Sequence, residues 1–346
     1  MILVVQNQLP HYRRAFFNAL CDVDEVIVLH SGKPVGTDGE RFKELIVPQR
    51  QFGPFNLQIG LNDAIMRLTP TTVIASADLR NLLSFVAMFR FERRLKWVWW
   101  GLDKGASALA LAVKTWLVRR DNPVVFYNHV IRDEFQARGL APNRLFVANN
   151  TFHVDNHQSF ADTAPKDCFI NVGTLDPRKR NDVTVRAFRT VLDKSGRDLK
   201  LYLIGEGRDR EVLEALIAEL DLAGSVILTG KIEDPKRLEG YYARTIASVS
   251  FGQAGLAVLQ SMAFGVPFVT KADAISGGEK HNIISGHNGI FCDGDQGALE
   301  TAMLRLVEDS DYARKLGRNA YAHYIEKASI QGMVGGFRAA LSCMEV

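Results

Sequence analysis

Cysteine is scarce in this chain of 346 residues, which has four cysteines and no Cys-x-x-Cys pair. They are scattered and have no histidine at ligand spacing, so neither a disulfide framework nor a zinc site is indicated, and a reducing cytoplasm fits. Met1 to Val5 lead straight into an apolar run without a cationic lead or a cleavage site, which argues against a secretory signal. The most apolar segment, Ala106 to Val118, contains Lys114 and is shorter than the roughly 20 residues of a membrane span. We therefore expect a cytoplasmic protein that does not cross a membrane.

The chain also has little excess of positive over negative charge. The net charge is +3, and no arginine- or lysine-rich arm interleaved with aromatic residues occurs, so nucleic acid is not an expected partner. Hydrophobic residues make up 47% and charged residues 23% of the chain, the composition of a globular protein. Because 346 residues exceed what one ordinary core accommodates, we expect two domains. No pattern in the sequence indicates the oligomeric state.

The first half of the chain alternates short apolar runs with segments of helical spacing. Continuous apolar runs between helices are typical of parallel strands that are buried on both faces, so this half is predicted to be a doubly wound α/β domain. Ligands of such sheets bind beyond the carboxyl ends of the strands. The predicted strands are residues 2–6, 25–32, 45–48, 72–76, 96–101, 124–128 and 144–150.

Polar residues follow several of these strands, and as a group they would line a polar pocket. Each also has a structural interpretation, since Asp78, for example, could cap a helix that starts near Leu79. The residues are Gln6, Gln8, His11, Tyr12 and Arg13 after the first strand, Asp78 and Arg80 after the fourth, and Asp103 and Lys104 after the fifth.

The segment from Arg90 to Arg120 combines basic and aromatic residues, and it has two interpretations. Basic residues beside aromatic ones suit peripheral contact with anionic lipid. Alternatively, Trp97 to Trp100 form a core strand and the following helix turns an apolar stripe inward, which is the favoured interpretation. That stripe would consist of Leu109, Val113, Trp116 and Leu117.

A second alternation of strands and helices follows a polar connection at 150–166. The chain is therefore predicted to form two Rossmann-like doubly wound domains that face a cleft. The predicted boundaries are 1–155, with the last helix at 328–346 crossing back to it, and 156–327.

The stretch from Ala247 to Thr270 organises the second domain. An apolar run breaks at Gly252-Gln253-Ala254-Gly255 and resumes with helical spacing until Gly265 and Pro267, which predicts strand, tight turn, helix and strand. The first N–H groups of such a helix would point at a ligand beyond the sheet edge. We therefore expect an anionic ligand at this turn.

Two further glycine turns follow strands, at Gly173 and at Gly205-Glu206-Gly207. The dinucleotide-binding fingerprint is incomplete, because Arg210 stands where the third glycine belongs, and no Walker A motif occurs. The adjacent cations Arg178, Lys179 and Arg180 suit a diphosphate, although a solvated charge run would look the same.

Several ordered motifs of the second half resemble the donor-binding domain of retaining GT-B glycosyltransferases, family 4 in particular. Gly173 and Lys179 match the family's glycine turn and its basic residue six positions on, and residues 259–267, LQSMAFGVP, are similar to its Leu-Glu-Ala-Met-Ala-x-Gly-x-Pro run. Gly277-Gly278 and Gly286 to Gly289 resemble its later glycine element. The resemblance covers residues 168–341 well and the first half in layout only.

The resemblance implies transfer of a sugar, with retention, from a nucleotide-diphosphate sugar to a glycan or lipid-linked acceptor in surface polysaccharide biosynthesis. No cofactor is implied, and no metal either, since the Asp-x-Asp pairs 22/24, 293/295 and 309/311 stand in sequences typical of turns and helix caps. The implied residues are Arg178, Lys179 and Asp78 for catalysis; Gly173, Thr174, Gly205, Glu206, Gly252, Gln253, Ala254, Gly255, Leu256 and Gln260 for the donor; and Gln8, His11, Tyr12, Arg13 and Lys104 for the acceptor.

The sequence departs from the family where its paired glutamates belong, because Gly252 and Gln260 occupy those positions. Gln260 can hydrogen-bond a ribose hydroxyl as a neutral group. Either the turn 252–255 serves as a backbone cradle for the donor, with Glu279 or His281 as the acidic or polar substitute, or catalysis has been lost. A sugar-nucleotide epimerase, a phosphorylase and a catalytically silent sugar-nucleotide-binding partner are the alternatives.

Overall fold

The computed structural model describes residues 1–102, 108–118, 122–154, 157–232 and 234–343. The chain forms two compact units, one from Met1–His153 and Ser329–Val346 and the other from Val154–Ala328. The sequence predicts divisions at 155/156 and 327/328. Within the described ranges, no helix is long and apolar enough to cross a membrane.

The first unit is built on a parallel sheet with helices on both faces. Its main strands run in the order β3-β2-β1-β6-β7-β8-β9, and β4 and β5 form a separate antiparallel hairpin that the sequence did not predict. The strands are β1 (Ile2–Val5), β2 (Val26–His30), β3 (Lys43–Ile46), β4 (Gln49–Phe52), β5 (Phe55–Gln58), β6 (Thr72–Ser76), β7 (Lys96–Trp100), β8 (Val124–Phe126) and β9 (Leu145–Val147). The helices are α1 (Arg14–Leu20), α2 (Leu61–Leu68), α3 (Leu82–Phe91), α4 (Ala108–Val118) and α5 (His129–Ala137).

Strand β7 shows why these elements form, because both of its faces are buried. Trp97 and Trp99 lie in the core beneath α3, where Phe85 stacks on Trp99 at 4.6 Å between ring centroids. Trp100 belongs to the core on the opposite face. Aromatic residues that alternate between two cores can be satisfied only by a strand with helices on both sides. The predicted core strand at 97–100 is thus confirmed.

The predicted inward stripe of α4 is wrong. Leu109 is 75% exposed, Trp116 is 55% exposed and Val113 is 38% exposed, whereas Lys114 is only 6% exposed. The side chain of Leu117 lies outside the described part. Helical spacing identifies an apolar face, but it does not say whether that face points to the sheet.

The second unit repeats the architecture with a parallel sheet in the order β12-β11-β10-β13-β14-β15. Its strands are β10 (Cys168–Val172), β11 (Lys200–Ile204), β12 (Val226–Gly230), β13 (Thr245–Val249), β14 (Phe268–Lys271) and β15 (Gly289–Cys292). Its helices are α6 (Asn181–Ser195), α7 (Arg210–Glu219), α8 (Pro235–Arg244), α9 (Ala257–Ala263), α10 (Gln296–Glu308) and α11 (Ser310–His323). Asp295 and Asp309 cap α10 and α11 by accepting hydrogen bonds from Gly297 N and Tyr312 N, as the sequence predicted.

The last helix, α12 (Ile330–Ser342), belongs to the first unit. Its Phe337 ring lies 5.0 Å from the rings of Phe16 and Trp100. The helix approaches β9 closely at Gly336, where an added Cβ would lie 2.3 Å from the carbonyl oxygen of Val147. Gly336 is therefore required by space, whereas a Cβ on Gly335 would meet nothing within 4 Å.

Adjacent glycines of α12 provide a matched test of this packing. Gly336→Ala is expected to destabilise the first unit by about 1–3 kcal/mol, because the new methyl group forces the helix away from β9. Gly335→Ala is expected to be neutral or to stabilise by about 0.5–1 kcal/mol, because alanine is the better helix former. Urea denaturation of the two variants measures the difference, and equal midpoints would contradict this packing.

Candidate functional site

Two glycine turns meet backbone to backbone at the carboxyl edge of the second unit. Gly173 follows β10 and donates its N–H to Ile204 O at 2.9 Å. A Cβ on Gly205 would lie 2.0 Å from Gly173 O, and one on Gly207 would lie 2.1 Å from Leu175 O. Gly173 and Gly205 also have φ values of 131° and 155°, which favour glycine. These turns thus need glycine for space and for conformation.

Lys179 occupies the space beside the first of these turns. Its Nζ would lie 3.1 Å from a Cβ built on Gly173, so the ammonium rests against the bare backbone of that turn. Burial lowers the pKa of Lys179, because the ammonium loses contact with water. The charge of Asp176 raises this pKa only in part, and the charge of Arg178 lowers it further. Among the described residues, the ammonium has no ion-pair or hydrogen-bond partner. An anionic group would therefore be stabilised here.

The other two cations of the predicted triplet are neutralised. Arg178 binds Asp176, with 2.8 Å between Nε and Oδ1, and its side chain is 60% exposed. Arg180 binds Asp182 at 3.2 Å and adopts a left-handed φ of 54° just before α6 begins. The structure thus separates the three adjacent cations. Lys179 faces the glycine turn, whereas Arg178, although predicted to be catalytic, is engaged by a neighbouring carboxylate.

The turn at residues 252–256 lies directly against the Lys179 loop. Gly252 N donates to Lys179 O at 2.9 Å, and a Cβ on Gly252 would lie 2.2 Å from Arg178 O. No side chain fits at Gly252 without moving this loop. The position where the family has a glutamate therefore holds glycine for a steric reason.

The turn at residues 252–255, predicted to be a backbone cradle, leaves fewer N–H groups for a ligand than the sequence predicts. The N–H groups of Gly252 and Ala254 are used within the protein, by Lys179 O and Ile275 O, which leaves the amides of Gln253 and Gly255 in this turn for a ligand. Ser250 Oγ donates to Gln253 O at 2.7 Å and holds the turn in shape. Leu256 precedes α9, which has seven residues, so its dipole contributes less than that of a long helix.

The remaining residues that were predicted to bind the donor differ in their exposure and in their partners. Gln260 is partly buried on α9. Thr174 is exposed beside Gly173. The Glu206 carboxylate is bound to Arg210 Nη1 at 2.7 Å and is 53% exposed, so it serves an ion pair on the loop surface.

Glu279 lies on the loop that is hydrogen-bonded to the 252–255 turn. Ile275 N donates to Gly252 O at 2.9 Å, which ties this loop to the turn. Glu279 is 7% exposed and accepts a hydrogen bond from Ser276 Oγ at 3.2 Å. His281 is exposed. Glu279 is thus the buried acidic group of this loop.

Arg13 forms the centre of a cluster at the carboxyl edge of the first unit. Its Nη1 donates to Gln6 Oε1 and its Nη2 to Tyr127 OH, both at 2.8 Å. The guanidinium lies 4.3 Å from the Trp100 ring centroid, and its Nε is buried without a hydrogen-bond partner within the described residues. Arginine remains charged at neutral pH, yet these partners are neutral. The cluster is therefore a cation without a compensating carboxylate in the part of the chain that is described.

Tyr127, Trp100 and Gln58 are members of this cluster that the sequence did not identify. Gln58 Nε2 donates to Gln6 O at 2.7 Å and links the β4–β5 hairpin to β1. Tyr127 follows β8 directly, but it lies inside the strand predicted at 124–128 and was therefore not singled out. Trp100 gave no such signal, because its sequence context indicates a core strand.

Asp78 is bound by its neighbour. Arg80 Nε lies 3.0 and 2.9 Å from the two carboxylate oxygens, and Arg80 N also donates to Oδ1. Burial by itself raises the pKa of Asp78. The hydrogen bonds and charge of Arg80, together with the charge of Lys114, lower this pKa by more, so the net shift is downward. Helix α3 begins at Leu82 with Asn81 as its N-cap, so the expected helix start near Leu79 is wrong.

The other predicted acceptor residues are dispersed. Gln8 and His11 are exposed, and Tyr12 is half-buried next to Arg13. A Cβ on Gly32 would lie 3.4 Å from Gln8, so Gln8 lies near the end of β2. Lys104, together with Asp103, lies outside the described residues.

Comparison with known proteins gives matches of two kinds. Residues 155–323 match the family model of glycosyl transferases group 1. The D-inositol 3-phosphate glycosyltransferase of Acidothermus cellulolyticus is 29% identical over 184 residues, which cover 49% of this chain and 40% of that protein. The N-acetylgalactosamine-N,N'-diacetylbacillosaminyl-diphospho-undecaprenol 4-alpha-N-acetylgalactosaminyltransferase of Campylobacter jejuni is 33% identical over 108 residues, which cover 30% of this chain and 28% of that protein. The chain thus spans less than half the length of these relatives.

Solved structures match nearly the whole chain. A glycosyltransferase from Rickettsia africae has a TM-score of 0.77 at 14% identity, covering 99% of this chain and 98% of that one. Anabaena Alr3699/HepE in complex with UDP has a TM-score of 0.75 at 16% identity, covering 99% of both chains. At these identities the likeness shows the fold.

Two parallel Rossmann-like sheets with these structural neighbours define a GT-B protein. The glycosyl transferases group 1 model matches residues 155–323, which make up most of the second unit. The fold and the family resemblance predicted from the sequence are confirmed.

Two glycines of the 252–255 turn allow a matched test of the site geometry. Gly252→Ala is expected to cost about 1–3 kcal/mol, because its methyl group would collide with Arg178 O. Gly255→Ala is the control, since a Cβ there meets nothing within 4 Å. Urea denaturation, with hydrogen exchange of residues 250–256, measures both effects. A Gly252→Ala variant as stable as Gly255→Ala would refute the close contact between the two loops.

Proposed function

We propose that this protein is a retaining glycosyltransferase that moves a sugar from a nucleotide-diphosphate sugar to a glycan or lipid-linked acceptor in surface polysaccharide biosynthesis. The observation that carries the proposal is the Lys179 ammonium, which is desolvated, lacks a partner among the described residues and rests against the glycine turn at Gly173. A diphosphate supplies the counter-charge that this lysine lacks. The match of residues 155–323 to the glycosyl transferases group 1 model and the binding of UDP by a structural neighbour support the same assignment.

Lys179 acts on the charge that develops during the reaction. When the bond between the anomeric carbon and the diphosphate breaks, negative charge accumulates on the departing oxygen. A partly buried cation interacts with that charge more strongly than a fully solvated one, because less water has to be displaced. The amides of Gln253 and Gly255 would add hydrogen bonds to the same group. No cofactor and no metal form part of this proposal.

The nucleoside and the sugar of the donor are assigned to the elements beside the Lys179 loop. Gln260 on α9 would hydrogen-bond a ribose hydroxyl as a neutral group. Glu279, on the loop tied to this turn through Ile275, is the candidate for the acidic role that Gly252 cannot fill.

Arg13 indicates what kind of acceptor the first unit would bind. A half-buried guanidinium whose contacts are Gln6, Tyr127 and Trp100 favours an anionic ligand. We therefore propose that the acceptor carries a phosphate or carboxylate. The names of two relatives specify an inositol phosphate and a diphospho-undecaprenol acceptor, which supports this proposal. The cytoplasm is the proposed location.

Lys179→Met is expected to reduce transfer about 100-fold or more, since removing one preorganised group that stabilises developing charge has effects of that order. Donors are first identified by a thermal-shift screen, beginning with UDP-sugars, and transfer or hydrolysis of the bound donor is then measured. Arg178→Gln is the matched control, because Arg178 is already paired with Asp176. If no nucleotide raises the melting temperature at millimolar concentration, the proposed function is wrong.

The pH dependence of the same binding assay separates charge from shape. The lowered pKa of Lys179 means that the free protein loses this proton at a lower pH than an ordinary lysine. Diphosphate binding favours the charged form, so affinity should fall as the pH rises through that lowered pKa. Lys179→Arg keeps its charge and should lack this alkaline decline. An identical decline in both proteins would exclude Lys179 as its source.

Arg13→Gln tests the anionic acceptor. It is expected to raise the KM for acceptor about tenfold or more, because a charge-assisted contact is lost, and to leave the donor affinity unchanged. Donor hydrolysis without acceptor is the internal control, as it does not involve Arg13. Equal losses in donor binding and in acceptor KM would indicate a folding defect, and far-ultraviolet circular dichroism with thermal unfolding would detect it.

A catalytically silent sugar-nucleotide-binding partner is the second candidate, favoured by the steric exclusion of a carboxylate at position 252. Such a protein would bind a nucleotide through Lys179 yet show no turnover with any acceptor extract. An epimerase would convert the donor without acceptor, and a phosphorylase would need inorganic phosphate. Product analysis of the bound nucleotide sugar distinguishes these outcomes.

A further inference from the structure

A cavity lies at the amino edge of the second unit's sheet, opposite the edge that carries the glycine turns. Three adjacent parallel strands begin beside it, because Lys166 precedes β10, Thr245 opens β13 and Pro267 precedes β14. The cavity has a volume of about 230 Å³. Liquid water occupies about 30 Å³ per molecule, so the space would hold about eight water molecules. It is therefore large enough for a small ligand and lies apart from the candidate donor site.

Most of the wall of this amino-edge cavity is apolar. Ile246, Pro267 and Leu306 line it and are buried, and Ala313 of α11 lines it from the other side of the α10–α11 connection. Apolar walls favour a ligand that has an apolar body, because binding removes both surfaces from water.

Lys166 adds a cation to this wall. Its Nζ is buried and has no hydrogen-bond partner among the described residues. Burial lowers the pKa of Lys166 to about 8, and interactions with Cys168 and Asp162 offset this shift only in part. Asp162 is itself bound to Arg318. An ammonium without a partner is costly to bury, so an anion in the cavity would be stabilised by it.

Two further cations line the cavity, and no carboxylate belongs to its described lining. Arg197 donates to two neutral acceptors, Val307 O at 2.8 Å and Lys166 O at 3.2 Å. Arg314 is bound to Asp311, with 2.7 Å between Nη2 and Oδ1. Lys166 and Arg197 thus form no ion pair within the described ranges, and the electrostatic environment of the cavity favours a negative charge.

We propose that the amino-edge cavity binds a small monoanion with an apolar body, such as an aliphatic or aromatic carboxylate. The carboxylate pairs with the Lys166 ammonium, and the apolar part packs against Ile246 and Leu306. A phosphate dianion fits less well, because Lys166 is the one buried cation among the described lining residues and the second negative charge would be desolvated without a partner. This site does not depend on the proposed glycosyl transfer.

Benzoate and its neutral counterpart benzamide probe the site by isothermal titration calorimetry. Benzoate should bind saturably and about tenfold or more tightly than benzamide, because its contact with Lys166 is charge-assisted. Lys166→Met should abolish this preference, whereas Lys315→Met, exposed on α11, should retain it. The melting temperature of Lys166→Met should equal or exceed that of the wild type, since an unpaired buried charge is removed.

The shape of the cavity is tested with its charge unchanged. Ala313→Leu should weaken the binding of both benzoate and benzamide, because the larger side chain occupies the cavity. Ala322→Leu, at an exposed position of the same helix, is the matched control and should bind both probes as the wild type does. This pair tests the site even if Lys166→Met fails to fold.

The pH dependence of benzoate binding identifies the cation. Benzoate should bind about tenfold more weakly at pH 9 than at pH 7, because the free protein loses the Lys166 proton near pH 8. Lys166→Arg should lack this decline. Burial raises the pKa of Cys168 to about 11, so its thiol stays protonated over this range. The other charged side chains around Lys166 are of types that keep their charge between pH 7 and pH 9. They are Asp162, Asp167, Arg197, Arg244, Asp311 and Arg314.

Four results would overturn the proposal. The first is equal affinity for benzoate and benzamide, and the second is equal benzoate affinity of Lys166→Met and Lys315→Met. The third is tighter binding of inorganic phosphate than of benzoate. The fourth is loss of benzoate binding in Lys179→Met or Arg13→Gln, which would place benzoate at the candidate donor or acceptor site. Wild-type benzoate affinity in these two variants is expected, and it would support the amino-edge cavity whether or not the protein proves to be a glycosyltransferase.

Discussion

Close backbone contact at the carboxyl edge of the second sheet is the constraint on which the candidate donor site depends. Gly205 meets the carbonyl of Gly173, and Gly252 meets the carbonyl of Arg178, at distances that admit no Cβ atom. These contacts bring three loops together, and each loop follows a different strand. A single side chain at either glycine would separate the loops and remove the surface on which Lys179 rests.

Ion pairs within the protein then determine which charged side chains remain available to a ligand. Asp176 and Asp182 neutralise Arg178 and Arg180, and Arg80 occupies Asp78. Exposed pairs of this kind add little stability, so their main effect is to withdraw charges from ligand binding. Lys179 and Arg13 stand apart, because neither forms an ion pair with a carboxylate within the described residues. Desolvation makes such groups costly in the empty protein and strongly attractive to anions.

The sequence by itself determined the alternation of strands and helices, the two parallel sheets and the glycine-turn motifs around Gly173, Lys179 and residues 252–267. These follow from local periodicity and from glycine positions, both of which are encoded within short segments. Tertiary structure alone decided the rest. The pairing of Arg178 with Asp176, the cluster of Arg13 with Tyr127 and Trp100, the β4–β5 hairpin and the outward face of α4 depend on contacts or orientations that no short segment encodes. A helical stripe has the same spacing whether it faces a core or the outside of the protein, because periodicity fixes which residues share a face and only packing fixes where that face points.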